Sequence, residues 1–316
     1  MKSKIIKGII TILFIIALFY LLRTIDFSLV TKEFKNSNKI FIILAIIGTL
    51  LAVLIRIIKF KLATKYLSYK ISFKNASLFQ AIGISCALLT PGRLGELIKS
   101  FLLNKRLKIP ITPSLGIVIV ERIFDLIFLI TAAIIYSILI VKNTTFNIIA
   151  LTLFIIIIII LFLLKKSHIF KKIIPHKFKK YFDKPLKFNR SKKVLASLII
   201  ITILTWLADS LVIFFLSKAV NISLPFWMII GITSISTIAA LLSILPWGLG
   251  AYDLSILVLF TALGVSKEPA TAILIASRLI GIIIPLILSI ILINITHFSF
   301  KTIKEYNLEK VDSQKI

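Results

Sequence analysis

Residues 90–103 read "TPGRLGELIKSFLL", and residues 245–260 read "LPWGLGAYDLSILVLF". Each stretch holds a proline, then Leu-Gly, then an acidic residue, then an apolar run. Pro91 and Pro246 lie 155 residues apart, close to half the chain. Gly95 is followed 27 residues later by Arg122, and Gly250 is followed 28 residues later by Arg278. Both arginines sit inside the next apolar segment, in "VIVERIFDLIF" and "ILIASRLIGIIIP". A shared pattern at this separation reads as an internal repeat with one helix break in each half.

The surroundings place both breaks in a bilayer. The chain has 316 residues, 59% of them hydrophobic and 16% charged, with a mean hydropathy of +1.07. Soluble domains are less apolar and more charged. Residues 148–164, "IIALTLFIIIIIILFLL", carry no charge and are long enough to cross. The fold class is therefore all-α and polytopic. Six full transmembrane helices are expected at roughly 5–22, 40–58, 114–140, 146–164, 194–217 and 270–293. The N-terminus has no A-x-A-like cleavage site and reads as a first span, not a removed signal peptide.

The net charge of +27 does not point to nucleic acid, because the basic residues fall in short stretches between apolar spans. Lys2, Lys4 and Lys7 precede the first span; Lys59, Lys61, Lys65, Lys70 and Lys74 follow the second; about a dozen Lys/Arg crowd 165–193. By the positive-inside rule these stretches are cytoplasmic. Region 76–103 then enters from the inside and returns, and region 225–265 enters from the outside and returns. Both termini lie in the cytoplasm. The expected organisation is one membrane domain over 1–300, with inverted repeat units at roughly 40–140 and 194–293. A basic cytoplasmic linker covers 165–193 and a polar tail covers 301–316.

Broken apolar helices in corresponding halves mark a transport site near the midplane. Pro91, Gly92 and Pro246 break the helices. Gly95, Gly248 and Gly250 let another group come close. The helix starting after the first break points its positive end into the membrane, an anion site with Arg93 beside it. Charges in apolar segments are costly unless paired or wet, which singles out Glu96, Glu121, Arg122, Asp125, Asp253 and Arg278. Glu121 and Asp125 are four apart and share a helix face; Arg122 and Asp125 are three apart. Asp209 reads as an ion-pair residue. Lys99 reads as snorkelling to the cytoplasmic interface. Trp206 and Trp227 read as interface anchors or packing, and Trp247 as a cavity-lining side chain. The Ser/Thr-rich stretch 231–243 reads as close helix packing. Single Cys86 excludes an intramolecular disulfide, and no His/Cys cluster has metal-ligand spacing. No cofactor is expected.

"TPGRLGELIKSFLL", "VERIFDLI" and the block from "LPWGLGAYDLSILVLF" to "ATAILIASRLIGIIIPLIL" resemble the three signature blocks of the lysylphosphatidylglycerol synthase transmembrane-region family. Trp247 stands where that family often has glycine, and Asp253 where glutamate is usual. The resemblance covers nearly the whole chain. It implies a flippase-like membrane part that moves lipids, notably aminoacylated phosphatidylglycerol, between leaflets. The synthetase and glycosyltransferase domains of larger relatives are absent from this chain, so a stand-alone membrane part of the cell membrane is expected.

The leading expectation is an ATP-independent lipid flippase. Its partners are membrane lipids: an anionic or aminoacylated phospholipid, or a lipid-linked sugar. The arginines and half-helix ends hold a headgroup phosphate. Glu96, Glu121, Asp125 or Asp253 holds a cationic headgroup moiety or a coupling proton. One rival is a non-catalytic partner of a lipid-modifying enzyme. The other is an intramembrane enzyme, against which no nucleophile or metalloprotease motif is present.

Overall fold

The computed structural model describes residues 37–141, apart from Leu89, and 191–296, together with Lys35, Ile148, Thr152 and Ile155. The expected spans 5–22 and 146–164, nearly all of the 165–193 linker and the 301–316 tail lie outside the described residues. All described secondary structure is helical.

The elements are α1 (Lys39–Tyr66), α2 (Phe73–Leu88), a first break (Pro91–Leu97), α3 (Ile98–Leu107) and α4 (Ile111–Tyr136), which ends in a π turn (Ser137–Val141). Next come α5 (Lys192–Ala219), α6 (Phe226–Leu242), a second break (Pro246–Gly248), α7 (Ala251–Ala262) and α8 (Lys267–Ile295). The order long helix, shorter helix, break, short helix, long helix therefore occurs twice. α1, α4, α5 and α8 are long and apolar enough to cross a membrane, and they coincide with the four described spans read from the sequence. At about 1.5 Å per residue, the 16-residue α2 and 10-residue α3 fall short of a bilayer core of about 30 Å.

α1 shows why the helices pack as they do. Asn38 caps it, its side chain accepting from the Ile40 amide at 3.0 Å. Ala45, Gly48, Thr49 and Ala52 recur at helical spacing and are buried, while Ile43, Ile47, Leu50 and Leu54 stay exposed. The small face lets the backbone of α1 approach α5: a Cβ on Gly48 would sit 3.6 Å from Val212. Lipid is as apolar as leucine, so close van der Waals packing of small residues, not hydrophobic burial, holds such a pair.

α1 and α5 head the two halves, and they run antiparallel. The Asn38 amide donates to the Ala219 carbonyl at 3.1 Å, Gly48 faces Val212, and Arg56 pairs with Asp209. Rising numbers on one helix meet falling numbers on the other, so the second half is inverted relative to the first. The halves also exchange partners. α2 packs on α8, where the Ser289 hydroxyl donates to the Ala81 carbonyl at 2.9 Å and Ser85 donates to Ser289 at 2.8 Å. α6 packs on α4, with Gly231 against the Tyr136 ring.

Candidate polar cavity between the two breaks

The breaks share a backbone device. After Pro91, Gly92 and Arg93 take φ of 54° and 58°; after Pro246, Trp247 and Gly248 take φ of 56° and 67°. Two consecutive left-handed residues follow the proline each time. Glycine meets this demand at no steric cost, yet it fills the first position in one half and the second in the other. Arg93 and Trp247 are the side chains that accept the strained position. Gly95 then lets the first break close on α2. A Cβ there would lie 2.1 Å from the Cys86 carbonyl oxygen, and the Gly95 amide donates to Thr90 Oγ1 at 2.6 Å.

The first break delivers Glu96 into a buried charge network. Its carboxylate lies 2.9 Å from Arg122, 3.1 Å from Lys99 and 3.3 Å from Arg93. Lys99 reaches on to Glu121 at 2.6 Å and to Gln80 at 3.1 Å. Arg122 lies 3.0 Å from Asp125, which accepts from Lys59 at 2.6 Å and from the Trp206 indole at 2.8 Å. On α4, Ser114, Ile117, Glu121 and Asp125 lie on one buried stripe, so helical spacing carries the two carboxylates inward where they meet cations from α1 and α3.

The second break builds the corresponding unit from fewer parts. Asp253 accepts from the Gly250 amide at 2.8 Å, closing the start of α7. Arg278 Nε donates to Asp253 at 2.8 Å and Nη1 donates to the Trp247 carbonyl at 2.9 Å. The guanidinium also sits 4.2 Å from the centre of the Trp247 ring and 4.5 Å from that of Tyr252, close enough for cation–π attraction. Glu96–Arg122 and Asp253–Arg278 are thus corresponding pairs, the first joining the break itself and the second the start of α7 to the long helix that follows.

Between the breaks lies a cavity of about 190 Å³. Its polar lining includes Arg56, Arg93, Asp209, Thr237, Trp247 and Arg278. Of the residues expected to bind substrate, Arg93 and Arg278 line it, and Trp247 lines it as the sequence suggested. Glu96, Glu121, Asp125 and Asp253 are outside the lining and bound to protein cations, Arg122 is outside it and bound to Glu96 and Asp125, and Pro91, Gly92, Gly95, Pro246, Gly248 and Gly250 shape the breaks. The start of α7 is closed by Asp253 itself, so that helix end is already occupied.

Two sequence readings are corrected and a third is narrowed. Lys99 does not snorkel: it is fully buried and tied to two carboxylates. Lys59 is not an exposed cytoplasmic charge but the buried partner of Asp125. Trp206 is not an interface anchor but a packing residue, the other alternative: it is buried and stacks on Phe128, and it also lines the cavity and donates to Asp125. Ser210 and Thr233 pair at 2.8 Å, so the Ser/Thr-rich stretch packs helices, and Thr233 and Thr237 also face the cavity. Among the charged residues lining the cavity, Arg56 is the one the sequence reading missed. The available signal was its place inside an apolar span, three residues before Lys59 and so on the same helix face. Among the described residues, no group of His, Cys, Asp or Glu is arranged to hold a metal ion.

Fold and site together define an all-α, multi-pass membrane protein whose two broken helical hairpins meet around a polar cavity. Comparison with known proteins supplies the family. The sequence matches "Lysylphosphatidylglycerol synthase TM region" over residues 5–289, and the chain belongs to that family. It is similar to a UPF0104 membrane protein of Methanocaldococcus jannaschii, 26% identical with 92% of this chain and 95% of the relative covered. A UPF0104 membrane protein of Pyrococcus horikoshii is 26% identical over 80% of this chain and 86% of its own length. A phosphatidylglycerol lysyltransferase of Staphylococcus aureus is 32% identical over 118 residues, which cover 37% of this chain and 14% of that protein.

Proposed function

We propose that the chain is an ATP-independent transporter that carries the headgroup of a phospholipid or lipid-linked substrate between leaflets while its chains stay in the bilayer. The observation that carries this reading is the cavity itself, lined by arginines from both inverted halves and placed where two helices break. Irregular backbone inside a membrane is tolerated where it is buried in protein or lines a polar space, and here Arg93 and Trp247 of the two breaks line the cavity. Arginine matches phosphate geometry. The likeness to a phosphatidylglycerol lysyltransferase supports a lipid headgroup as the cargo.

The same reading makes the protein non-enzymatic. It sits in the cell membrane with both termini in the cytoplasm, so that the first break opens from the inside and the second from the outside. The test is reconstitution into liposomes with a headgroup-labelled lipid and no nucleotide, followed by quenching from outside only. Labelled lipid should become quenchable beyond the outer-leaflet half, with its chemical composition unchanged. A quench that stops at the protein-free level for every headgroup class would refute transport, and a new lipid product would indicate an enzyme.

A further inference from the structure

The charges around the cavity can be matched one to one, and one cation is left over. Glu121 has Lys99 nearest at 2.6 Å, Asp125 has Lys59 at 2.6 Å, and Glu96 has Arg122 at 2.9 Å. Asp253 has Arg278 at 2.7 Å, and Asp209 has Arg56. Each of the five carboxylates takes a different cation. Arg93 remains. It meets Glu96 Oε1 at 3.3 Å, while Arg122 and Lys99 meet Oε2 of the same carboxylate at 2.9 and 3.1 Å, so three cations share a single negative charge. Among the described residues of this site, six cations thus face five carboxylates, a surplus of one positive charge. The surplus sits on the cavity wall, because Arg93 lines the cavity and keeps 25% of its side chain exposed while Glu96 keeps 2%.

We infer that the cavity is completed by a headgroup carrying one net negative charge, a phosphate with no compensating amine, seated on Arg93 with Arg56 and Arg278 lining the same cavity. A net charge left uncompensated in a partly buried site is unfavourable; a monoanion neutralises the surplus, a zwitterion leaves it, and an aminoacylated cationic headgroup doubles the imbalance. The inference rests on the lipid-transport reading for the source of the phosphate, since a free phosphate ester presents the same chemistry.

Intrinsic fluorescence tests binding separately from transport, because Trp206 and Trp247 line the cavity and the chain has three tryptophans. In a Trp227→Phe background in detergent, the protein is titrated with four probes. These are dioctanoyl phosphatidylglycerol, its lysyl ester, dioctanoyl phosphatidylcholine and glycerol 3-phosphate. Phosphatidylglycerol should bind at least tenfold more tightly than the lysyl ester or phosphatidylcholine. Arg93→Gln should erase that preference and Arg93→Lys should keep it. Equal binding of the anionic and lysyl lipids by the unaltered protein would overturn the inference, as would a preference that survives Arg93→Gln. Glycerol 3-phosphate binding as tightly as the lipid would overturn the lipid assignment. Selective binding without liposome transport would instead refute the transporter reading and leave the anion site standing.

Discussion

Replacing Lys99 with methionine separates a buried network from a surface charge. Lys99 and Glu121 are both fully buried, with Nζ 2.6 Å from Glu121 and 3.1 Å from Glu96. Methionine fills much of the lysine stem's volume but removes the charge, so Glu121 loses its nearest cation inside the protein. Breaking a buried pair from one side costs about 3–5 kcal/mol. Were Lys99 at the membrane interface, the change would fall within about 0.5 kcal/mol. The two values are far enough apart for SDS titration in mixed micelles, followed by far-UV circular dichroism, to distinguish them. The double variant Lys99→Met/Glu121→Gln removes both charges and should recover most of the loss, because Glu96 keeps Arg122 at 2.9 Å. A single variant as stable as the parent, or a double variant weaker than the single, would refute this assignment.

Further outcomes follow from the same geometry. Gly95→Ala should destabilise the protein by about 1–3 kcal/mol in the same titration, as overpacking does, because its Cβ would meet the Cys86 carbonyl oxygen at 2.1 Å and backbone cannot swing aside. Arg278→Lys should cut liposome transport by about tenfold, the equivalent of about 1.4 kcal/mol, since one ammonium cannot reproduce a fork that meets Asp253 and the Trp247 carbonyl together. In a Cys86→Ala background, Ser68→Cys should react with an impermeant thiol reagent from the cytoplasmic side and Ser266→Cys from the outside. Labelling of both from one side would contradict the inverted topology.

The helices were legible because their signals are local. Apolar runs of the right length marked α1, α4, α5 and α8, and Pro91 and Pro246 marked the breaks. The equivalence of the halves was legible too, since the proline, the Leu-Gly and the distant arginine recur in register. The destination of each charge was not. Lys59 and Lys99 look like flanking lysines when counted along the chain, and only the approach of α4 brings Asp125 and Glu121 to them. Arg56 and Asp209 are 153 residues apart and become a pair because α1 and α5 run antiparallel. Trp247 sits where a glycine would be easiest; its φ of 56° and its place over Arg278 depend on α8. The sequence supplied the charges and the breaks, and tertiary packing decided which faced the cavity.

A headgroup carried between leaflets must pass through the cavity between the two breaks. Thr237 lines that cavity, with its hydroxyl bonded to the Thr233 carbonyl of its own helix and to none of the charges. Thr237→Trp should therefore fill the passage while leaving the ion pairs intact. Liposomes holding the parent protein should show labelled anionic lipid quenched beyond the outer-leaflet half, and liposomes holding Thr237→Trp should fall to the protein-free level with unchanged resistance to SDS. Transport by Thr237→Trp at the parent rate would rule out passage through this cavity.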